Sequence, residues 1–192
     1  MKTMKVVIPG VLTTVYQKSG MTCSGVMDTA AYRKANYLVG NEEGAAVLEM
    51  TLYGGSCRFE EDTVIALTGA DMQPTVNQKP IAMNQAVKVP AGGVLNLGMA
   101  KTGCRTYLAV AGGFEVPKVM VSYSTNLKCG IGGHEGRALQ MGDELPIGEA
   151  LHSWDEVKDR KVSVPDYPKE VLVSVVPGPQ EEYFTEAGNH HY

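Results

Sequence analysis

The chain has 192 residues, 44 % of them hydrophobic and 20 % charged, ordinary globular usage that excludes disordered and collagen-like classes. Its formal net charge is −4 and no cluster of Lys and Arg exceeds Arg160-Lys161, which leaves no electrostatic footprint for nucleic acid or an anionic membrane. Aromatic residues are few at 7 % and glycines many at 22, which favours a turn-rich β fold over a helical bundle.

Residues 6–8 form a short β-prone run stopped by Pro9-Gly10, and 11–15 resume it with β-branched threonines, so a first strand pair is expected here. Asp28 precedes a stripe of Ala31, Ala35 and Leu38 with Arg33 turned away, and Gly40 follows, a pattern that predicts a capped helix over 28–39. Asn41 with Glu42-Glu43 reads as a second cap and a short helical turn. Leu48, Met50 and Leu52 then alternate with Glu49, Thr51 and Tyr53, predicting a half-buried strand ended by Gly54-Gly55.

The run 63–68 is apolar on both faces and is expected to be a central strand that turns out at Gly69-Ala70-Asp71. Short strands over 75–79, 86–89, 94–97 and 105–111 follow at the spacing of an antiparallel barrel or sandwich. Residues 92–98 and 142–148 share the pattern G-x-x-L-x-(L/I)-G, so the same turn-and-strand device is expected twice. A β domain over 1–148 is expected to give way to a polar linker over 149–170, which holds Pro165, Pro168 and the single Trp154. The apolar run 171–176 reads as a strand, and 171–192 either opens a second, truncated domain or returns to the first. His190 and His191 near the end of the sequence read as a frayed tail rather than a metal site.

Cys23, Cys57, Cys104 and Cys129 lie far apart without C-x-x-C or a histidine at ligand spacing, so no metal site is expected. The first residues lack the apolar core and cleavage site of a secretory leader, and no apolar run approaches the ~20 residues of a membrane span. Reduced thiols and a cytoplasmic location are the expectation.

Gly130, Gly132, Gly133 and Gly136 fall within seven residues and are flanked by apolar Leu127, Ile131, Ala138 and Leu139. That arrangement predicts an ordered loop at or beside a ligand site. The loop lacks the Gly-Lys-(Ser/Thr) ending of a P-loop, and the chain has no G-x-S-x-G, H-E-x-x-H or strand-to-helix G-x-G-x-x-G motif. The candidates that remain are polar residues at strand ends and loop mouths. Asp71 and Arg137 are the candidate catalytic residues: Arg137 can fork onto a carboxylate or phosphate, and Asp71 can orient a water or an amide N–H. Ser24, Asp28, Asn36, Ser124 and Thr125 are the candidate substrate-binding residues. Bland readings stand beside these: Asp71 as a turn residue bonding its own backbone, Arg137 as a structural partner of Asp143, Asp28 as a helix cap and His134 as a surface histidine.

An ordered series of segments resembles one known family: PGVLTTV (9–15), SGVMD (24–28), ANYLVGN (35–41), LEMTLYGG (48–55), ALTGAD (66–71), YLAVAGG (107–113), SYSTNLKCGIGGHEGRALQMGDEL (122–145) and VVPGPQEEYF (175–184). The series is similar to the biotin-dependent carboxyltransferase, or allophanate hydrolase subunit 2, family. The resemblance implies a mainly β, cyclophilin-like antiparallel barrel with one or two short helices. It implies a component like the C subunit of a bacterial 5-oxoprolinase, opening the cyclic amide of 5-oxoproline to glutamate. Such a component works with a cyclophilin-fold partner like the B subunit of that enzyme and with a lactam-utilisation protein as its A component, and uses ATP through the complex.

Two alternatives come with the same family. One is the carboxyltransferase module of a biotin-dependent urea carboxylase; since the chain has no Met-Lys-Met, its biotin carrier would lie elsewhere. The other is a non-enzymatic binder of a histidine-kinase inhibitor. Family members usually carry a Gln-Asp-x-Gly-Arg-x-Gly segment where Val15 here runs straight into Tyr16-Gln17, and they continue past the PGPQ segment. The chain by itself is therefore expected to be inactive.

Overall fold

A computed structural model describes residues 2–17 and 25–164 and, beyond them, 168, 170–174, 176, 178, 179 and 183. The described elements are β1 (Lys2–Ile8), β2 (Leu12–Tyr16), α1 (Thr29–Val39), β3 (Val47–Thr51), β4 (Tyr53–Phe59) and β5 (Thr63–Asp71). They continue with β6 (Thr75–Val76), β7 (Lys79–Pro80), β8 (Ala86–Val89), β9 (Val94–Met99), β10 (Thr102–Val110), β11 (Glu144–Ile147) and α2 (Trp154–Val157).

The fold is mainly β with two short helices, and its strands form two antiparallel sheets, ordered β11-β1-β4-β9-β6-β7 and β2-β3-β10-β5-β8. The sheets face each other across one core. Leu48, Met50, Ile65, Leu67, Leu108 and Val110 of the five-stranded sheet meet Met4, Val6, Phe59, Leu95 and Leu97 of the other. Each such buried side chain contributes about 1.5–3 kcal/mol of apolar transfer energy. No ladder among the described residues closes the sheets into the barrel that the resemblance implies. The chain changes sheet at Leu52, whose φ of 62° makes a corner between β3 and β4, and Leu52 N–H donates to Cys104 O across that corner (2.9 Å).

The second face of the five-stranded sheet is covered by α1. Asp28 caps it, Oδ1 accepting from Ala31 N–H at 2.9 Å, and Gly40 ends it in the left-handed conformation, as the sequence predicts. Ala31, Ala35 and Leu38 lie with Tyr32 and Val39 against Val47, Ala66, Tyr107 and Ala109. Small residues let the helix lie close to the sheet. One consequence corrects the sequence reading: β3 is not half-buried, because the face carrying Val47 and Glu49 lies on the α1 side, and Glu49 is only 6 % exposed.

Three further expectations change. The strand over 75–79 is a β6–β7 hairpin, turned at Asn77 and Gln78 with φ of 48° and 65°, the left-handed pair that a two-residue hairpin turn requires. The helical turn after Asn41 is absent, since the Asn41 amide instead ties Val110 O and Gly112 N–H. Residues 171–174 form no strand and are exposed, Leu172 fully so, because no described strand lies beside them to take up their hydrogen bonds. The stretch read as a linker is anchored at its start: the Ser153 capping box opens α2, Val157 is buried, and Val162 N–H donates to Asn84 O. The shared G-x-x-L-x-(L/I)-G pattern does mark two strands of one sheet, β9 and β11, each entered through a left-handed glycine, Gly92 or Gly142.

Candidate functional site

The glycine loop is an ordered structure clamped to the outer edge of β2. Thr125 N–H and Oγ1 both donate to Val15 O at 3.0 Å, and Leu139 N–H reaches Thr13 O at 2.8 Å. Ser124 Oγ donates to Gln17 O and accepts from Gln17 N–H, while Gln17 Oε1 accepts from Tyr123 N–H. The segment thus covers an edge that would otherwise offer a row of free backbone groups. Ser124 and Thr125, expected to bind substrate, use their hydroxyls to hold β2 and Gln17. Ser24 lies outside the described residues.

Arg137 is held within this loop. Its five N–H groups are all committed: Nε and one Nη2 hydrogen to Glu135, the other Nη2 hydrogen to Asp143 Oδ1, and the two Nη1 hydrogens to Asp143 Oδ2 and Ala138 O. Two of these form a bidentate pair with Asp143, at 2.7 and 2.9 Å, and Asp143 also accepts from Gln140 N–H. The Arg137 guanidinium is the main reason why the Asp143 carboxyl is held down to about 2. His134 Nε2 stands 3.6 Å from the same carboxylate. No donor of Arg137 is left for a ligand, so its geometry is that of a clamp joining the loop to the turn before β11.

A depressed carboxyl pKa stabilises the fold above its unfolded value near 4, and that stabilisation is lost as pH falls toward 2. With Asp143 11 % exposed, its contribution is about 1–2 kcal/mol after screening. Arg137→Ala is therefore expected to lower stability at pH 7 by that amount and to flatten the loss between pH 4 and 2.5. Urea unfolding at pH 7, 4 and 2.5 checks this, and an unchanged acid slope in the variant would remove the clamp.

A second polar cluster lies beneath the start of α1. Glu49 Oε2 accepts from Tyr107 Oη (2.8 Å) and from Met27 N–H (2.9 Å), and Tyr107 Oη accepts from Asp28 N–H (2.8 Å). Arg105 Nε is 3.2 Å from Glu49 Oε1, a charge pairing in which the N–H does not point at the oxygen. Burial, with the Glu49 charge beside it, pushes the Tyr107 phenol far above its ordinary value. Asp28 thus has a structural task on both its side chain and its backbone. Asn36 is also structural: fully buried, its Nδ2 donates to Ala45 O and its Oδ1 accepts from Asn41 Nδ2.

Asp71 lines an open cleft of about 740 Å³ between the end of β5, the β6–β7 hairpin and the start of β10. Gly69, Gln73, Met83, Asn84 and Lys101 line it too. Asp71 Oδ1 accepts from Gln73 N–H at 2.8 Å, the turn role that the sequence allows. The register explains the opening: Thr102 pairs with Asp71 and Thr106 with Gly69, so 103–105 face Ala70 alone. Such a bulge kinks the strand and re-aims side chains, and here it leaves Arg105 beside Glu49. Gly69 links cleft and cluster, since a Cβ there would strike Arg105 O and touch the Tyr107 ring.

The structure therefore does not bring the six described sequence candidates into one site. Asp71 lines the cleft, Arg137, Ser124 and Thr125 belong to the glycine loop, and Asp28 and Asn36 belong to α1. Glu49, Tyr107, Arg105, Asn84 and Lys101 were missed. A charged residue inside an otherwise apolar strand was the available signal for Glu49.

The family described as "Carboxyltransferase domain, subdomain A and B" matches residues 19–192. Among curated proteins, the C subunit of Escherichia coli 5-oxoprolinase is 38 % identical over 195 residues, covering 96 % of this chain and 60 % of that protein. Urea amidolyase of Saccharomyces cerevisiae is 33 % identical over 213 residues, covering 98 % of this chain and 12 % of that protein. Among solved structures, urea amidolyase of K. lactis aligns with a TM-score of 0.73 and 34 % identity over 91 % of this chain and 11 % of its own. The chain thus spans 60 % of the length of its E. coli relative and a small part of the urea amidolyases.

Proposed function

The chain belongs to the carboxyltransferase-domain family, and from that membership we propose that it is the C component of a bacterial ATP-dependent 5-oxoprolinase. In this reading it acts in the cytoplasm with a partner like the B component and a lactam-utilisation protein as the A component, and the complex opens the cyclic amide of 5-oxoproline to glutamate. The observation that carries the reading is the match to the C subunit of E. coli 5-oxoprolinase along 96 % of this chain. The Asp71 cleft is the proposed substrate site, with Asp71 orienting a water or the amide. Arg137 shapes the glycine loop on the edge of β2, apart from this cleft.

The similarity to the urea amidolyases favours a second reading, a carboxyltransferase module acting with a biotin carrier supplied from elsewhere. The discriminating experiment mixes the full-length protein with its partner proteins and follows ATP hydrolysis. Dependence on 5-oxoproline and on every component is the expected result. Dependence on urea and a biotinylated carrier would move the assignment to the second reading. Asp71→Ala is expected to lower turnover about 10²-fold with the complex intact, the usual cost of losing a group that orients a reactant. Wild-type turnover in that variant would take Asp71 out of the site.

A further inference from the structure

The cleft beside Asp71 holds one charge of each sign. Of the described residues that line it, Asp71 is the one acid and Lys101 the one base, and the rest are uncharged. The two do not pair with each other. Asp71 commits Oδ1 to Gln73 N–H at 2.8 Å, and the exposed Lys101 makes no side-chain hydrogen bond, ion pair or ring contact among the described residues. Their backbones are nevertheless fixed side by side: Lys101 N–H donates to Asp71 O at 2.8 Å, Ala100 N–H to Leu52 O at 2.7 Å, and Gln73 Nε2 to Met99 O at 3.2 Å. The turn between β9 and β10 is thus pinned at three successive residues, with an unanswered cation at its end. Gln73 and Asn84 in the cleft wall are left-handed, with φ of 51° and 60°, and such non-glycine backbone collects at ligand sites.

We propose that Lys101 is the specificity-determining residue of this cleft, its ammonium taking the carboxylate of a small ligand whose N–H faces the free oxygen of Asp71. The ligand class is therefore an amide that also carries a carboxylate, as 5-oxoproline does and urea does not. The inference rests on the Asp71 cleft being the substrate site. A lysine that answers no charge of its own protein meets an anion without breaking another bond, and the charge-assisted contact favours the carboxylated member of two otherwise equal ligands. A neutral amide leaves Lys101 in water and gains nothing from it.

The test uses full-length protein in its complex, with wild type, Lys101→Met and Lys101→Arg titrated calorimetrically with 5-oxoproline and with 2-pyrrolidinone, the same ring without the carboxylate. Wild type is expected to bind 5-oxoproline at least about tenfold more tightly than 2-pyrrolidinone, a preference that shrinks as salt rises. Lys101→Met removes the charge and should bring the two ligands within about threefold of each other, while Lys101→Arg keeps the preference. In turnover, Lys101→Met should raise KM for 5-oxoproline about tenfold with kcat within about threefold, the pattern of a contact made equally in ground and transition states. Tm should stay within about 2 °C, since the side chain is exposed and bonds nothing among the described residues. A preference that survives Lys101→Met overturns the inference and leaves 5-oxoproline-dependent turnover, and the function proposed from it, in place. A preference lost in both variants with Tm lower by more than about 5 °C marks Lys101 as structural and overturns it too. Turnover of urea with a biotinylated carrier, and none of 5-oxoproline, overturns both the inference and the 5-oxoprolinase reading.

Discussion

Glu49→Ala is expected to lower the unfolding free energy by about 3–5 kcal/mol, the cost of removing one member of a buried ionic cluster. The carboxylate receives Tyr107 O–H and Met27 N–H and stands against the Arg105 guanidinium, with its side chain 8 % exposed. Alanine leaves the buried Tyr107 O–H without its acceptor in a space that α1 and the sheet close off, so that donor loses its partner without regaining water. Glu49→Gln keeps an acceptor oxygen of the same reach and is expected to cost about 1–2 kcal/mol, the difference between charge-assisted and neutral hydrogen bonds. Urea unfolding measures both through the midpoint at constant slope. A loss below about 1 kcal/mol for Glu49→Ala would mean that water enters the cluster and that it does not anchor the start of α1.

The Glu49 cluster also marks where sequence reading stopped. Alternation in β3 separates Leu48 and Met50 from Glu49 correctly, but the pattern alone reads the Glu49 face as solvated. That the face is covered depends on α1, which the chain forms before β3 and lays across β10 and β5 as well. α1 itself was legible because its signals are local: Asp28 at one end, Gly40 at the other and small residues between. The cleft was not legible beyond Asp71. Its other walls come from a hairpin turned by Asn77-Gln78, a pair lacking the usual glycine, and from a bulge in β10, neither of which periodicity records. For Arg137 the sequence left two roles open, and the full set of bonds within the loop selects the pair with Asp143.

The glycine loop gives the second large effect, because two of its glycines separate conformational strain from collision. Both Gly130 and Gly136 are left-handed, with φ of 65° and 69°. A Cβ on Gly130 meets nothing within 4 Å, whereas one on Gly136 runs into Gly130 O and C and Ile131 N, all backbone atoms that no rotamer change can move aside. Gly130→Ala is therefore expected to cost about 1 kcal/mol, the strain of a left-handed alanine. Gly136→Ala adds to that strain the opening of the Asn126–Ile131 turn, whose hydrogen bond is 2.8 Å long, for about 2–4 kcal/mol in all. Since Arg137 follows directly, a displaced Gly136 also pulls the guanidinium off Asp143, and the acid loss of stability between pH 4 and 2.5 should flatten as it does in Arg137→Ala. Thermal and urea unfolding of the two variants side by side decides the matter. Equal losses would show that the loop yields to a methyl group and that its glycines serve conformation alone, while a larger loss confined to Gly136→Ala with a flattened acid slope ties the tight turn to the Arg137–Asp143 clamp.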